Sequence, residues 1–287
     1  MIMARLKLTL AFWCGLGLAV LHAQAGTLAQ FRTQLGDIEV ELFDQDKPVT
    51  TANFIRCVQA GLFIDSFIQR WEPHFVIQGG GFFMANRATT NQIIRRVGNF
   101  GPITNEFSVG PTLSNVYGTL AMARVGGLTN SATSQWFFNL ADNTDLDSAD
   151  GGFTVFGKII AGTNVLNRFN IANPTNGVFR TDLSDPLHPN PVLDQLNHLP
   201  LIPLPSGSFG FMYVDITLLE VRVSAALTGR EISWNSVRDL TNRVEFTTEF
   251  PPVWTTLTST NGTGARMIFN DSAPAAQQGF YRVRVDY

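Results

Sequence analysis

The chain has 287 residues, of which 45% are hydrophobic and 15% are charged, and its formal net charge is −3. This much apolar material predicts a globular protein with one large core and a smaller one, and the modest charge excludes a disordered chain. The acidic balance leaves no basic field that could hold nucleic acid.

The first 25 residues are predicted to be a signal peptide. A basic start, MIMARLK, precedes an apolar run at residues 8–21 that is short for a bilayer span and is followed by Ala23-Gln24-Ala25. An uncleaved membrane anchor is the alternative. Cleavage after Ala25 would give an exported protein, periplasmic or secreted, with a formal charge of −5, because two basic residues and no acidic one are lost. Cys57 would then be the only cysteine, and we expect it to be a buried hydrophobe rather than a reactive thiol.

The next segments predict a β-hairpin and two helices. Residues 29–43 alternate polar and apolar around Gly36-Asp37, as a hairpin with one wet and one buried face does. A helix is expected to follow at Pro48 and to stop at Gly61. A second helix is expected to begin with Thr163 as its cap. Further short strands are predicted at residues 75–77, 119–124, 136–140 and 153–160.

The C-terminal part divides into an irregular segment, a returning strand and a small module. Residues from about 173 to 208 are rich in Pro, Asn and Asp with little periodicity, which indicates a Pro-rich insertion on the surface. A strand pattern at 211–223 is expected to close the first domain, residues 26–224. Short alternating segments from 225 to 287 predict a separate, small β-sandwich-like module. The predicted fold class is therefore mainly β.

One stretch, residues 68–82, carries polar residues that could do chemistry: IQRWEPHFVIQGGGF. In a strand, side chains alternate between faces, so Val76 and Gln78 share one face. Taken alone, this stretch favours a reading in which Gln78 is a satisfied barrel residue and Arg70 a surface cation.

A second set of motifs changes that interpretation. Residues 118–124 read GTLAMAR, residues 134–139 read SQWFFN and residues 152–158 read GFTVFGK. Together with R-x-x-P-x-F-x-x-Q-G-G, this order closely resembles the cyclophilins, from the hairpin near Phe31 to the strand near Val223. The resemblance implies a closed antiparallel eight-stranded barrel with two capping helices, and peptidyl-prolyl cis/trans isomerase activity that assists the folding of exported proteins.

The resemblance also implies the site. Arg70 matches the catalytic arginine of the family, and Phe75 and Gln78 are expected to act with it. The residues expected to bind substrate are Val76, Ala123, Arg124, Gln135, Phe137, Leu146 and Phe153. The expected partners are Xaa-Pro segments of flexible polypeptides, and neither a metal nor another cofactor is expected. The alternative is a non-catalytic proline-peptide-binding module attached to the cell envelope through the C-terminal domain.

Some positions depart from the family pattern. The usual Phe-His before the arginine is Ile68-Gln69 here, and Val76 replaces a frequent methionine; we expect both changes to keep an apolar wall. Asp145 and Phe153 stand where tight cyclosporin binders have tryptophan and histidine, which predicts weak cyclosporin binding. In the C-terminal module, a group of aromatic residues is expected to form the core, with a carbohydrate-stacking face as the alternative. These aromatic residues are Trp234, Phe246, Trp254 and Tyr281.

Overall fold

The computed structural model describes most of the chain after the predicted signal peptide. The described residues are 27–171, 178–184, 186–204, 208–219, 221–226, 229–236, 241–249, 251–263, 266–272 and 279–286. The signal-peptide prediction lies outside them. Within these ranges, no helix combines the length and the apolar character that a membrane crossing requires.

The first part of the chain forms strands and two helices in an order close to the predicted one. These elements are β1 (Leu28–Thr33), β2 (Gly36–Leu42), α1 (Pro48–Gln59), β3 (Arg70–Glu72), β4 (Val76–Gly79), β5 (Phe82–Ala85), β6 (Ile93–Arg96), β7 (Thr119–Met122), β8 (Trp136–Asn139), β9 (Val155–Ala161), α2 (Thr163–Asn170), β10 (Phe179–Thr181), β11 (Leu199–Pro203), β12 (Phe209–Phe211) and β13 (Val214–Leu218).

Eight of these strands form one antiparallel sheet, in the order β13-β1-β2-β9-β7-β8-β4-β3. The sheet curls so that its two outer strands approach each other. The amide of Ile68 donates to the carbonyl of Met212 at 2.9 Å, and the amide of Val214 donates to the carbonyl of Ser66 at 3.0 Å. The eight-stranded antiparallel architecture with two helices is confirmed, and these hydrogen bonds link its edges.

The sheet and both helices share one hydrophobic core. Phe31 lies at its centre, with its ring 4.9 Å from Trp136 and 5.0 Å from Phe138, both edge to face. Helix α1 contributes Phe54 and helix α2 contributes Phe169, and both side chains are fully buried. Burial of each such large apolar side chain contributes about 1.5–3 kcal/mol, so this core holds the strands in register.

The local expectations need small corrections. The hairpin turns at Gln34 and Leu35 rather than at Gly36, because Gly36 already pairs with Thr33. Helix α1 has Pro48 in its first turn, as predicted, and ends before Gly61, whose φ of +69° suits glycine. Thr163 is the first residue of α2 rather than its cap, because Gly162 occupies the capping position.

The Pro-rich insertion is more ordered than the sequence predicted. Within its described residues, β10 and β11 pair with each other, and β12 completes a three-stranded sheet. Leu196 and Leu199 are fully buried and pack with Phe67, which precedes β3, and Phe82 of β5. The prediction of a surface excursion is therefore wrong for these parts, because they pair as strands and bury apolar side chains. The sequence feature that indicates this strand is the apolar run LPLIPLP at residues 199–205. Its prolines argue against a strand, although β11 forms there.

The C-terminal region forms two small antiparallel sheets. Their strands are β14 (Val221–Ala226), β15 (Gly229–Asn235), β16 (Thr241–Thr247), β17 (Thr255–Asn261), β18 (Arg266–Asp271) and β19 (Phe280–Asp286), in the orders β14-β15-β18 and β17-β16-β19. Ile232 and Trp234 from one sheet and Val244 from the other are buried in a common cluster. Val223, expected to end the first domain, pairs instead with Ile232 of β15. We therefore propose that the C-terminal module begins with β14.

Candidate active site

Arg70 and Gln78 lie opposite each other on the paired strands β3 and β4. Their neighbours Trp71 and Ile77 form the next pair of the ladder, and each is 1% exposed in the barrel core. Because side chains alternate along a strand, Arg70 and Gln78 face away from that core. The core thus fixes the face on which the two polar residues appear.

An apolar wall surrounds this polar pair. Val76 of β4 and Phe137 of β8 are buried, and the Phe137 ring meets the Phe153 ring edge to face with centroids 5.9 Å apart. Phe75 and Leu146 pack against the same cluster, which is separate from the barrel core. The opposite faces of the same strands therefore build two different apolar clusters.

The residues on this face enclose a hollow of about 150 Å³. Its lining consists of nine of the ten residues predicted for the site: Arg70, Phe75, Val76, Gln78, Ala123, Arg124, Phe137, Leu146 and Phe153. The tenth, Gln135, does not line the hollow but contacts a residue that does. Its side-chain oxygen accepts a hydrogen bond from Nε2 of Gln78 at 2.8 Å.

Gln69 belongs to a buried hydrogen-bond network, which corrects the expectation of an apolar wall at this position. The side chain donates from Nε2 to Oε1 of Gln135 at 2.7 Å, and its own Oε1 accepts the amide of Gly81 at 2.7 Å. Gln69 is 4% exposed, so it is a satisfied buried polar residue and not part of an apolar wall. Ile68 does pack in the barrel core, and Val76 does line the hollow.

Leu146 reaches the hollow because a short turn presents it. A 3-10 turn, Thr144–Asp147, is closed by the amide of Leu146 on the carbonyl of Asn143 at 2.9 Å. Asp147 holds this turn by accepting the amide and Nδ2 of Asn115 at 2.9 and 2.8 Å. Burial would raise the pKa of the Asp147 carboxyl, but hydrogen bonds from Ser114 and Asn115 outweigh burial and lower it. A charged, well-bonded Asp147 therefore fixes one wall of the hollow.

Arg124 supports the opposite wall. Its side chain is only 2% exposed, and its guanidinium carbon lies 4.2 Å from the centroid of the Phe153 ring. Nη2 donates to the carbonyl of Ala149 at 2.8 Å and to that of Asp150 at 3.1 Å. The amide of Ala123 donates to the carbonyl of Gln135 at 2.9 Å. These contacts hold Phe153 and the neighbouring loop against the hollow.

Arg70 is the most accessible charged group of the lining. Its side chain is 40% exposed, and its guanidinium carbon lies 5.8 Å from the centroid of the Phe75 ring. Nη2 lies 3.6 Å from Oε1 of Glu72, which is beyond hydrogen-bond distance. The hollow thus combines an apolar floor with a cation at its edge that retains free donor capacity for a bound molecule.

Comparison with known proteins identifies the family of the chain. The family model described as "Cyclophilin type peptidyl-prolyl cis-trans isomerase/CLD" matches residues 28–191. A "Peptidyl-prolyl cis-trans isomerase" of Acinetobacter baylyi is 39% identical over 171 residues, which is 58% of this chain and 84% of the relative. "Peptidyl-prolyl cis-trans isomerase A" of Dickeya dadantii is 36% identical over 170 residues, 58% of this chain and 83% of the relative. A cyclophilin crystal structure from Cryptosporidium parvum is 21% identical and has a TM-score of 0.44, covering 68% of this chain and 98% of that one.

The fold and site define an antiparallel β-barrel protein with an apolar hollow that has a cation at its rim. The family model covers more than half of the chain, and the curated relatives exceed 30% identity over more than four fifths of their own length. The chain belongs to the cyclophilin-type peptidyl-prolyl cis-trans isomerases, and it is an enzyme of that class.

Proposed function

We propose that this isomerase stabilises the twisted prolyl amide through Arg70 and that it assists the folding of exported proteins. The observation that supports the role of Arg70 is its position: its side chain lines the same hollow as Phe75, Val76 and Phe137. An apolar hollow suits a pyrrolidine ring, which has no hydrogen-bond donor of its own. The cation then lies beside the ring that the hollow holds.

The chemistry of the prolyl bond explains why a cation is useful there. Rotation about the Xaa-Pro amide crosses a barrier of about 18–20 kcal/mol, because it breaks the resonance that keeps the C–N bond planar. In the twisted state the proline nitrogen regains a lone pair. A guanidinium hydrogen bond to that nitrogen forms only when resonance is lost, so it stabilises the transition state more than either planar isomer. An arginine side chain keeps its proton at any working pH, so the donor is always present.

The remaining residues of the hollow would hold the substrate. Phe137 and Phe153, which contact each other, would keep the pyrrolidine still while the flanking chain turns. The backbone of Ala123 and Arg124 would bind the residue before proline. Gln78, whose amide is fixed by Gln135, would orient Arg70 or grip the substrate carbonyl.

An isomerisation assay with Arg70→Ala tests the role of Arg70. We expect wild-type protein, residues 26–287, to accelerate cis/trans exchange of a proline peptide, and Arg70→Ala to lose about 10²–10³-fold in kcat, as loss of one oriented transition-state donor does. Arg87→Ala is the matched control, because Arg87 is also about half exposed and pairs with Asp65 away from the hollow. Peptide binding without turnover by the wild type, or full activity in Arg70→Ala, would refute the proposal.

The export part of the proposal rests on the N-terminal sequence alone. A basic start, an apolar run and a small-residue pattern ending at Ala25 are the features of a cleaved leader. We expect the full chain, expressed with a bacterial export system, to appear outside the cytoplasm with residue 26 as its first residue. Terminal sequencing of the fractionated protein measures this, and an uncleaved chain in the cytoplasm would contradict it.

A further inference from the structure

Glu72 lies at the centre of a charged cluster beside the hollow. It follows Arg70 by two residues on β3, so both side chains lie on the same face of the strand. Its side chain is 18% exposed, and its two oxygens are shared among three nitrogen-bearing side chains. Oε2 accepts Nη1 of Arg180 at 2.8 Å, Oε1 contacts Nδ1 of His198, and Arg70 remains 3.6 Å away.

The two other partners of Glu72 come from the Pro-rich insertion. Arg180 lies in β10, and His198 directly precedes β11. The insertion docks at this edge of the barrel through its main chain, because the amide of Trp71 donates to the carbonyl of His198 at 2.8 Å. Docking at β3 therefore brings both side chains to the carboxylate next to the proposed catalytic arginine.

This arrangement determines whether Glu72 pairs with Arg70 or with the side chains of the insertion. A carboxylate two residues along the same strand face would otherwise be the natural partner of the guanidinium, and a close bidentate pair would take up its donors. Arg180 and His198 occupy the carboxylate instead, and Arg70 is left outside hydrogen-bond distance of it. The donors of Arg70 then stay available to the hollow.

We infer that Arg180 and His198 are positioning residues of this isomerase, which act through Glu72 to keep the Arg70 guanidinium directed at the prolyl nitrogen. The inference rests on the proposed role of Arg70. In this inference the insertion affects the reaction through Glu72 and Arg70, and it does not have to contact the substrate.

Kinetics of single and double variants test the inference. We expect Arg180→Ala to lower kcat by about tenfold with little change in KM, because misplacement of a catalytic group by about 1 Å can cost up to ~100-fold. Arg180→Lys should recover most of the loss. His198→Asn should act in the same direction as Arg180→Ala. Arg87→Ala, with the same 45% side-chain exposure as Arg180, should keep wild-type kcat.

The decisive comparison is made in a Glu72→Gln background. If Arg180 acts through the carboxylate, Arg180→Ala should change kcat little once a neutral amide has replaced that carboxylate. The tenfold ratio of kcat values should therefore disappear. A loss that persists undiminished in Glu72→Gln would show that Arg180 only supports the insertion, and would overturn the inference. Where Arg70→Ala is itself impaired, wild-type kcat in Arg180→Ala would overturn it as well.

A measurement without turnover separates this inference from the proposed function. The Nε–H signal of Arg70 in an NMR spectrum, assigned by its absence in Arg70→Lys, should shift in Arg180→Ala and return towards its original position in the double variant with Glu72→Gln. This shift tests the positioning even if Arg70→Ala retains activity, in which case only the proposed role of Arg70 fails. An unchanged Arg70 signal in Arg180→Ala overturns the positioning itself.

Discussion

A buried lysine should be one of the strongest single contributors to the stability of the barrel. Lys47 directly precedes α1, and its side chain is fully buried. Its three N–H groups are shared among four backbone carbonyls, and Nζ lies 2.9 Å from that of Glu106, 3.3 Å from that of Phe107, 2.5 Å from that of Val109 and 2.8 Å from that of Pro111. The ammonium thereby ties the start of a helix to a loop about sixty residues later in the chain.

The same loop returns the contact through Glu106. Helix α1 has no side-chain cap of its own at Lys47, and the Glu106 carboxylate accepts the amides of Val49 at 3.1 Å and Thr50 at 2.7 Å instead. A carboxylate at a helix N-terminus also interacts favourably with the helix dipole. Lys47 and Glu106 therefore form two halves of one connection between helix and loop.

The cost of Lys47→Met can be worked out from these contacts. A buried acceptor left without a donor costs about 1–3 kcal/mol. Among these four contacts, the one to Glu106 is buried and the other three are partly buried, so we count the full cost for the Glu106 carbonyl and a smaller cost for the others. Methionine also removes a desolvation cost, since burial lowers the pKa of Lys47. We expect a net loss of about 2–4 kcal/mol, a large share of the ~5–15 kcal/mol that stabilises a domain.

Urea unfolding followed by tryptophan fluorescence measures this loss as a lower midpoint at an unchanged slope. Lys158→Met is the matched control, because Lys158 is 54% exposed and forms a single ion pair with Glu41 at 3.3 Å. We expect that control to change stability by about 0.5 kcal/mol or less. If Lys47→Met also costs less than about 1 kcal/mol, the carbonyls do not depend on the ammonium and the reasoning is wrong.

Two further predictions concern buried polar groups near the core. Gln69→Leu should destabilise the protein by about 1–3 kcal/mol and lower kcat, because it leaves the Gly81 amide without an acceptor and removes one of the two donors to Gln135. Gln59→Leu on the exposed face of α1 is the control, and equal stability of both variants would contradict the prediction. Burial raises the pKa of the Cys57 thiol to about 11, so a thiol reagent at pH 8 should label it only after unfolding in urea. Fast labelling of the native protein, measured by mass spectrometry, would show that Cys57 is accessible.

Much of the hollow could be predicted because its residues lie on or next to short strands within the motifs. Val76 and Gln78 are two residues apart on β4, and their common face follows from the period of a strand alone. The resemblance to the family supplied residues elsewhere in the chain, such as Phe137 on β8 and Phe153 just before β9. Nine of the ten predicted residues line the hollow, and Leu146 is among them despite the extra residues in its loop.

The missed features depend on partners far away in the chain. Gln69 looks unremarkable until its hydrogen bond to Gln135, 66 residues later, is seen. Glu72 meets Arg180 across 108 residues, through an insertion whose composition indicated irregular structure. Periodicity and turn chemistry describe neighbours along the chain, so they carry no information about such pairs.

The register of three strands connects the stability of the barrel with the geometry of the hollow. Opposite Phe137 lies Gln78, and opposite Gln78 lies Arg70, so these residues form one row on the outer face. The adjacent row, Phe138, Ile77 and Trp71, faces the core. A slip of one residue would expose the second row and bury Arg70, which the apolar core opposes at about 1.5–3 kcal/mol for each large side chain. The same core residues that stabilise the fold therefore hold Arg70 on the face of the hollow.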